Sequence, residues 1–182
     1  MVSNIWTGNK VRLRAIVPGD WEKFHNNDYD TEGARLADMT HFPRSAEGTR
    51  LHTEGRAAEG PNGDRYTCAI ETLNGELIGS IGVHTTDSRN GTFKYGIGIF
   101  RDHWRKGYAS EAVKLMLGYY FDELRYQKVC AHVYAFNEGS IALHERMGFQ
   151  LEGRLRNMVY TNGQYYDELV YGLLISEFQA MK

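Results

Sequence analysis

The chain of 182 residues is poor in proline (three) and cysteine (two), and it lacks any long apolar run. Cys68 and Cys130 each lie inside an apolar, strand-like segment without a CxxC neighbour, which excludes a disulfide framework and a thiolate metal site and leaves two small reduced residues. The seven histidines show no paired metal spacing, so no metal is expected. No segment approaches transmembrane length, and the N-terminal MVSNIWTGNKVRLR lacks the apolar core of a signal peptide; a cytoplasmic protein without membrane contact is expected. With 21 Lys+Arg against 23 Asp+Glu, neither sign of charge dominates, and no basic field argues for nucleic acid. The common phosphate loops are missing too. There is no GxxxxGK[ST], and GIGIF at Gly96 to Phe100 lacks the third glycine of the dinucleotide fingerprint and sits in a strand-like run. An ATPase and a nicotinamide enzyme are thereby disfavoured. The length suits one domain over 1–182, with 42% hydrophobic and 24% charged residues as in ordinary globular proteins.

What is present centres on Phe100 to Leu124, FRDHWRKGYASEAVKLMLGYYFDEL. Apolar residues at Ala109, Ala112, Val113, Met116, Leu117, Tyr120, Phe121 and Leu124 make one helical stripe, so a long helix is expected from Tyr108. Just ahead of it stand Arg105, Lys106 and Gly107. Unpaired amides, the positive end of the helix dipole and two cations meet there, which suits a phosphate group. Gly107 lets the backbone approach a ligand closely, and Ser110 adds a hydroxyl in the first turn.

Around this element the chain alternates strands and helices. NKVRLRAI at 9–16 has the period of a half-buried strand, Asp20 to Asn27 reads as a helix, and 28–44 is loop-rich. A second helix from Ser45, its N-cap, to about Ala58 ends at GPNGD. Strands over 65–72, 76–86 and 92–100, joined at Asn74-Gly75 and Asn90-Gly91, form an antiparallel set. Lys128 to Ala135 then follows the long helix, an order that predicts a parallel pairing. NEGSIALHERMGF at 137–149 reads as a short helix with Asn137 as N-cap and Gly148 past its end, and its spacing puts Asn137, Ser140 and His144 on one face. Strands over 154–160 and 165–176 flank Asn162-Gly163 as a last hairpin.

VRLRAIVPGD, LIGSIGVH, YGIGI, WRKGYASEA, NEGSIALHERMGF and YYDELVYGLL, in this order and spacing, resemble the GNAT superfamily of acetyl-CoA-dependent N-acetyltransferases over nearly the whole chain, in particular its RimJ/RimL-like and polyamine acetyltransferase branch. The resemblance implies an α/β (α+β) fold: a mixed, mostly antiparallel sheet of about seven strands flanked by helices, with splayed fourth and fifth strands. It implies acetyl transfer from acetyl-CoA to a primary amine, such as a protein N-terminus or a polyamine, and it admits a homodimer. A catalytically silent acyl-CoA-binding or sensor module is the alternative. The implied cofactor-binding residues are Ile99, Arg101, Arg105, Lys106, Gly107, Tyr108, Ala109, Ser110, Asn137 and Ser140. The amides of Arg105 to Ala109 take the pyrophosphate, and Ile99 and nearby backbone pair with the pantetheine arm. Ser140 and His144 are the implied catalytic residues.

Two positions depart from the family pattern. Lys94 stands where many relatives carry a fourth-strand glutamate that serves as base, and a charged lysine cannot accept a proton. His144 replaces the tyrosine held to protonate the leaving thiolate; as an imidazolium acid it would give a bell-shaped pH profile. His84, Glu71 and Asp167 are other candidate proton acceptors. An acidic stretch, with Asp20, Glu22, Asp28, Asp30, Glu32 and Asp38 against Lys23 and Arg35, flanks the acceptor side in the resembled fold and would favour a cationic amine.

Overall fold

Period-two alternation shapes the start of the chain: Val11 and Leu13 are buried and Arg12 and Arg14 are not, giving strand β1 at Val11–Ala15. The computed structural model describes residues 4–38 and 40–181; residues 1–3 of the N-terminal stretch, Met39 and Lys182 lie outside the described residues. After β1 come α1 (Trp21–Asn27), α2 (Thr31–Ala37), α3 (Ala46–Ala58), β2 (Tyr66–Thr72), β3 (Leu77–Asp87), β4 (Thr92–Ile99) and α4 (Tyr108–Gly118). β5 (Lys128–Tyr134), α5 (Glu138–Arg146), β6 (Gln150–Thr161), β7 (Gln164–Leu174) and α6 (Ile175–Ala180) complete the order. The strands form one mixed seven-stranded sheet in the order β1-β2-β3-β4-β5-β7-β6. The expected α/β class and parallel β4-β5 pairing are both found. That pairing joins Thr92↔Lys128, Phe93↔Val129 and Lys94↔Cys130. β4 nevertheless runs on to Ile99 and β5 to Tyr134, so the strands part beyond Lys94.

The chain divides into two compact units, Met1–Gly82 with Ile97–Met116 and Val83–Gly96 with Leu117–Lys182. In the first, β1 pairs antiparallel with β2, which sets Arg12 opposite Glu71. Arg14 bridges Glu71 and Asp20 at 2.8 Å to each. Ile16, Ala69 and Leu77 form a small core with Phe24, Ala57 and Phe100 packed against it. Ser45 caps α3 as expected, its Oγ accepting from Gly48 N at 3.0 Å. α2 lies in the stretch read as loop. Its cap is Asp30, whose carboxylate accepts from Gly33 N at 3.0 Å, and Gly33 inside a seven-residue segment hid the helix. Gly79 lies so close to β4 that a Cβ there would collide with the Gly98 carbonyl oxygen.

In the second unit Phe93 stacks on Tyr120 at 4.6 Å and meets Phe121 and Tyr126 edge-on. The single long helix expected to Leu124 instead ends its α-helical part at Gly118 and continues as a π-turn over Tyr119–Glu123. Tyr120 and Phe121 in this turn are both buried in the core, continuing the buried pairs Ala112-Val113 and Met116-Leu117 of α4. The Asn162-Gly163 hairpin has φ of 51° and 81°, as a two-residue primed turn requires. β6 begins four residues before the expected start. It carries irregularities at Leu151/Gly153 and Leu155/Val159, and these broke its alternation. The last strand stops at Leu174 because α6 starts there, with Glu177 accepting from Leu174 N at 2.8 Å and Phe178 buried against Phe121.

Candidate active site

The basic turn in the first unit is built by backbone. Arg105 holds φ of 60° and Gly107 of 82°, an alternation that turns successive amides toward one side ahead of α4. A non-glycine residue in the left-handed region stores strain, and here it falls inside the turn that the sequence singles out. Trp104 pins the turn to the strand end, its Nε1 donating to Ile99 O at 2.6 Å. A third cation, Lys10, was invisible in the linear pattern. Its Nζ donates to Lys106 O at 3.1 Å and would lie 3.0 Å from a Cβ at position 107. Glu111 fixes Lys10 there: its carboxylate accepts from the amides of Asn9, Lys10 and Val11 at 2.9, 2.7 and 2.8 Å. The one carboxylate in the first turn of α4 is thus engaged by β1. Tyr108, Ala109 and Ser110 open the helix behind the turn, half-buried. A phosphate group fits such a cradle: amides and Lys10, Arg105 and Lys106 supply positive charge, and bare Gly107 supplies the approach.

Arg101 is engaged by two neighbours within the chain. Its guanidinium grips Asp30 through two hydrogen bonds of 2.7 and 2.6 Å and lies 4.8 Å over the Trp104 ring. This pair holds the Asp30 carboxyl below its usual range. The acidic stretch is therefore partly neutralised within the chain. Glu32 pairs with Arg35, and Asp20 is buried with Arg14; burial works to raise the Asp20 carboxyl, but the hydrogen bonds from Arg14 and the Val17 amide bring it below the ordinary value. For Glu71 burial likewise raises and the two arginines outweigh it, so this carboxylate is a poor base.

In the second unit Asn137 caps α5, its Oδ1 accepting from Ser140 N at 3.0 Å. Ser140 and His144 come together as the helical spacing predicts: His144 Nδ1 donates to the Ser140 carbonyl at 2.7 Å, with Ser140 Oγ at 3.4 Å. His144 is only 3% exposed, however, and lies between Phe149 and Tyr171. Its Nε2 accepts from the Tyr95 hydroxyl at 2.8 Å. These partners assign the neutral ring with the proton on Nδ1. Burial lowers the imidazole pKa, the Ser140 carbonyl only partly opposing it, and burial raises the Tyr95 phenol. The pair is thus a neutral, desolvated proton chain rather than a standing imidazolium. Tyr95 escaped the sequence reading, although the alternation of TFKYGIGI places it beside Phe93 on the core face. Asp167 accepts from Asn157 N and Arg154 Nε, which hold its carboxyl low and occupy it. Lys94 is exposed. Among the described residues no group of three His, Cys, Asp or Glu could hold a metal ion. No helix among them is long and apolar enough to cross a membrane.

The model of the acetyltransferase (GNAT) domain matches residues 10–150. The chain belongs to the GNAT acetyltransferase family. It is 38% identical over 179 residues to the SPbeta prophage-derived uncharacterized N-acetyltransferase YokL of Bacillus subtilis (strain 168), covering 98% of each chain. It is 30% identical over 98 residues to the spermidine N(1)-acetyltransferase of Vibrio cholerae, covering 54% of this chain and 57% of that one. Its fold matches the crystal structure of spermidine N-acetyltransferase from Vibrio cholerae in complex with CoA and spermine with a TM-score of 0.80, over 94% of this chain and 99% of that one. At 22% identity that likeness concerns the fold. The family membership makes this chain an acetyl-CoA-dependent acyltransferase.

Proposed function

We propose that the chain acetylates a primary amine of a polyamine or a protein N-terminus, as a RimJ/RimL-like member of the family acting in the cytoplasm. The family match over 10–150 runs through both units and supports reading 1–182 as one acetyltransferase domain. The observation that carries the proposal is the amide turn at Arg105 to Ala109, with its positive φ angles and its three cations. In this reading the turn and Ser110 hold the pyrophosphate of acetyl-CoA. The β4 edge near Ile99 takes the pantetheine arm, Arg101 braces the turn through Trp104, and Asn137 and Ser140 complete the cofactor contacts. Acetyl-CoA supplies the thioester; the chain orients it and moves protons. Amine attack, rather than a covalent enzyme intermediate, fits residues that offer hydrogen bonds and no activated nucleophile.

Ser140 and His144 are the proposed catalytic residues, with Tyr95 hydrogen-bonded to His144 Nε2; a proton that this chain gives to the thiolate is restored by the proton that the attacking amine releases. Lys94 favours the second reading, a silent acyl-CoA-binding module. Thiol release decides between them. Purified protein should bind CoA in calorimetry and release free thiol from acetyl-CoA when given spermidine or an N-terminal peptide; CoA binding without thiol release from any amine would establish the silent module instead.

A further inference from the structure

The polar face of β5 carries a histidine–carboxylate pair that none of the steps above uses. Val129, Ala131 and Val133 are buried, so Lys128, Cys130, His132 and Tyr134 occupy the opposite face. There His132 Nδ1 stands 3.2 Å from Glu168 Oε2 on β7, with the two side chains 31% and 13% exposed. Tyr134 is the direct cross-strand neighbour of Glu168. Beyond it Phe136 stacks on Tyr134 at 5.4 Å and meets Tyr166 edge-on at 4.7 Å. The pair lies just past the point where β4 and β5 part: the last joined positions are Lys94 and Cys130, and the next on this face are Gly96 and His132. Gly96 offers no side chain there, and a Cβ would come 3.3 Å from His84 Nε2. Glu71 is held by two arginines, Asp167 by Arg154 and Glu152 by Lys128. Glu168 pairs instead with the imidazole of His132.

We propose that this face is the acceptor subsite for a protonated primary amine, with Glu168 and the Tyr134 ring holding the ammonium and His132 acting as the catalytic residue that deprotonates it. The inference rests on the amine-acetylation reading and names its base. With Nδ1 turned to Glu168, Nε2 is the nitrogen that takes the proton. The ammonium gives one proton to Nε2, leaving an imidazolium beside the carboxylate. The freed amine pair forms the bond to the thioester carbonyl carbon, the carbon–sulfur bond breaks, the second amine proton goes to the thiolate, and the imidazolium releases the first to water. The net reaction turns an ammonium and a thioester into an amide, a thiol and one proton. The other charged or titratable groups of this face are His84, Lys94, Lys128, Cys130 and Glu152. Aromatic rings beside a carboxylate select a cation over a neutral amine.

The test measures thiol release by the full chain from acetyl-CoA against pH, with spermidine and with glycinamide. An α-amine has a pKa of about 8 and a lysine-like amine about 10.4, so only spermidine needs much help losing its proton at pH 7. His132→Gln should lower kcat/KM for spermidine by about 10²-fold at pH 7, with recovery as pH rises, and should affect glycinamide far less. Glu168→Gln should raise the spermidine KM and leave the acetyl-CoA KM unchanged. Equal losses on both amines, or a wild-type pH profile in His132→Gln, would overturn the assignment. Calorimetric CoA binding by both variants checks that the fold survives. A wild type that releases no thiol with either amine would instead count against amine acetylation itself. In that event the His132 imidazole signal in an NMR titration with spermidine decides: a shift abolished by Glu168→Gln keeps the cation subsite, and no shift removes it.

Discussion

The turn at Arg105 to Ala109 and the Tyr95–His144 pair are two regions built in opposite ways. The turn is made of consecutive residues whose backbone angles set the amides, so the phosphate recognition proposed for it should survive the loss of most side chains. The pair is made of two side chains 49 positions apart, held by burial and three hydrogen-bonding groups in series. A backbone device tolerates changes of side chain and fails when the backbone is forced. A buried polar chain does the reverse: deleting one atom leaves its partner without a bond in a place water does not reach.

The change expected to act most strongly is Gly107→Val. A β-branched residue at φ of 82° adds strain of about 1–2 kcal/mol. Its Cβ would also meet Lys10 Nζ at 3.0 Å and close the approach of a phosphate. CoA affinity should fall about 100-fold, which is about 2.8 kcal/mol, whereas the melting temperature falls only by the strain. An unchanged dissociation constant in calorimetry would show that the anion is held elsewhere.

Tyr95→Phe probes the other region. It leaves His144 Nε2 buried without a donor and should cost about 1–3 kcal/mol of stability in a denaturant melt. Turnover should fall at unchanged acetyl-CoA affinity. Lost stability with wild-type kcat would make the pair a piece of core and remove it from the chemistry. The variant thus sharpens the contrast with Gly107→Val, which acts on binding first.

The same contrast governs what was legible in the sequence. Local devices were readable: the caps at Ser45 and Asn137, the primed turn at Asn162-Gly163, the Arg105 to Ala109 turn, and the stripe of α4. Each depends on residues within four positions of one another. Lys10 and Tyr95 were missed because they reach their partners across 96 and 49 positions. The π-turn at Tyr119–Glu123 escaped because its residues also satisfy a regular apolar stripe, Tyr120 and Phe121 both packing on Phe93. Helical spacing placed His144 with Ser140, but the burial of that ring comes from Phe149 and Tyr171 and is a tertiary fact.

Burial of His144 carries a pH signature smaller than either substitution. Its folded pKa is depressed from the unfolded value of about 6.5, so the unfolded chain binds the extra proton first as pH falls. The stability tied to the neutral ring is complete above about pH 6.5 and declines as pH drops toward the folded pKa. Urea midpoints measured downward from pH 7 should fall less steeply in His144→Gln than in wild type. The depressed pKa also revises the kinetic expectation. An imidazolium acid on this ring would already be scarce at neutral pH, so activity between about pH 7 and 9 should rise with deprotonation of the amine and show no alkaline limb from His144. A limb that falls above pH 7 and vanishes in His144→Gln would restore the charged acid.

The smallest effects belong to the single cations of the turn. Removing one charge near a helix start is worth about 0.3–1 kcal/mol at low ionic strength, so Lys106→Ala should weaken CoA binding only about 2- to 5-fold. Lys10→Ala should stand at the upper end of that range because its ammonium is held in place by Lys106 O, whereas the Lys106 side chain is exposed. Arg105→Gly divides the residue's two contributions. It deletes a charge but removes the Cβ from a residue at φ of 60°, relieving about 1–2 kcal/mol of strain. The variant should therefore melt higher than wild type and still bind CoA within about 5-fold, and the gap should narrow as salt rises because exposed charges are screened. A large loss of affinity in Arg105→Gly that salt does not reduce would mean that the arginine side chain, and not the amide it presents, holds the ligand.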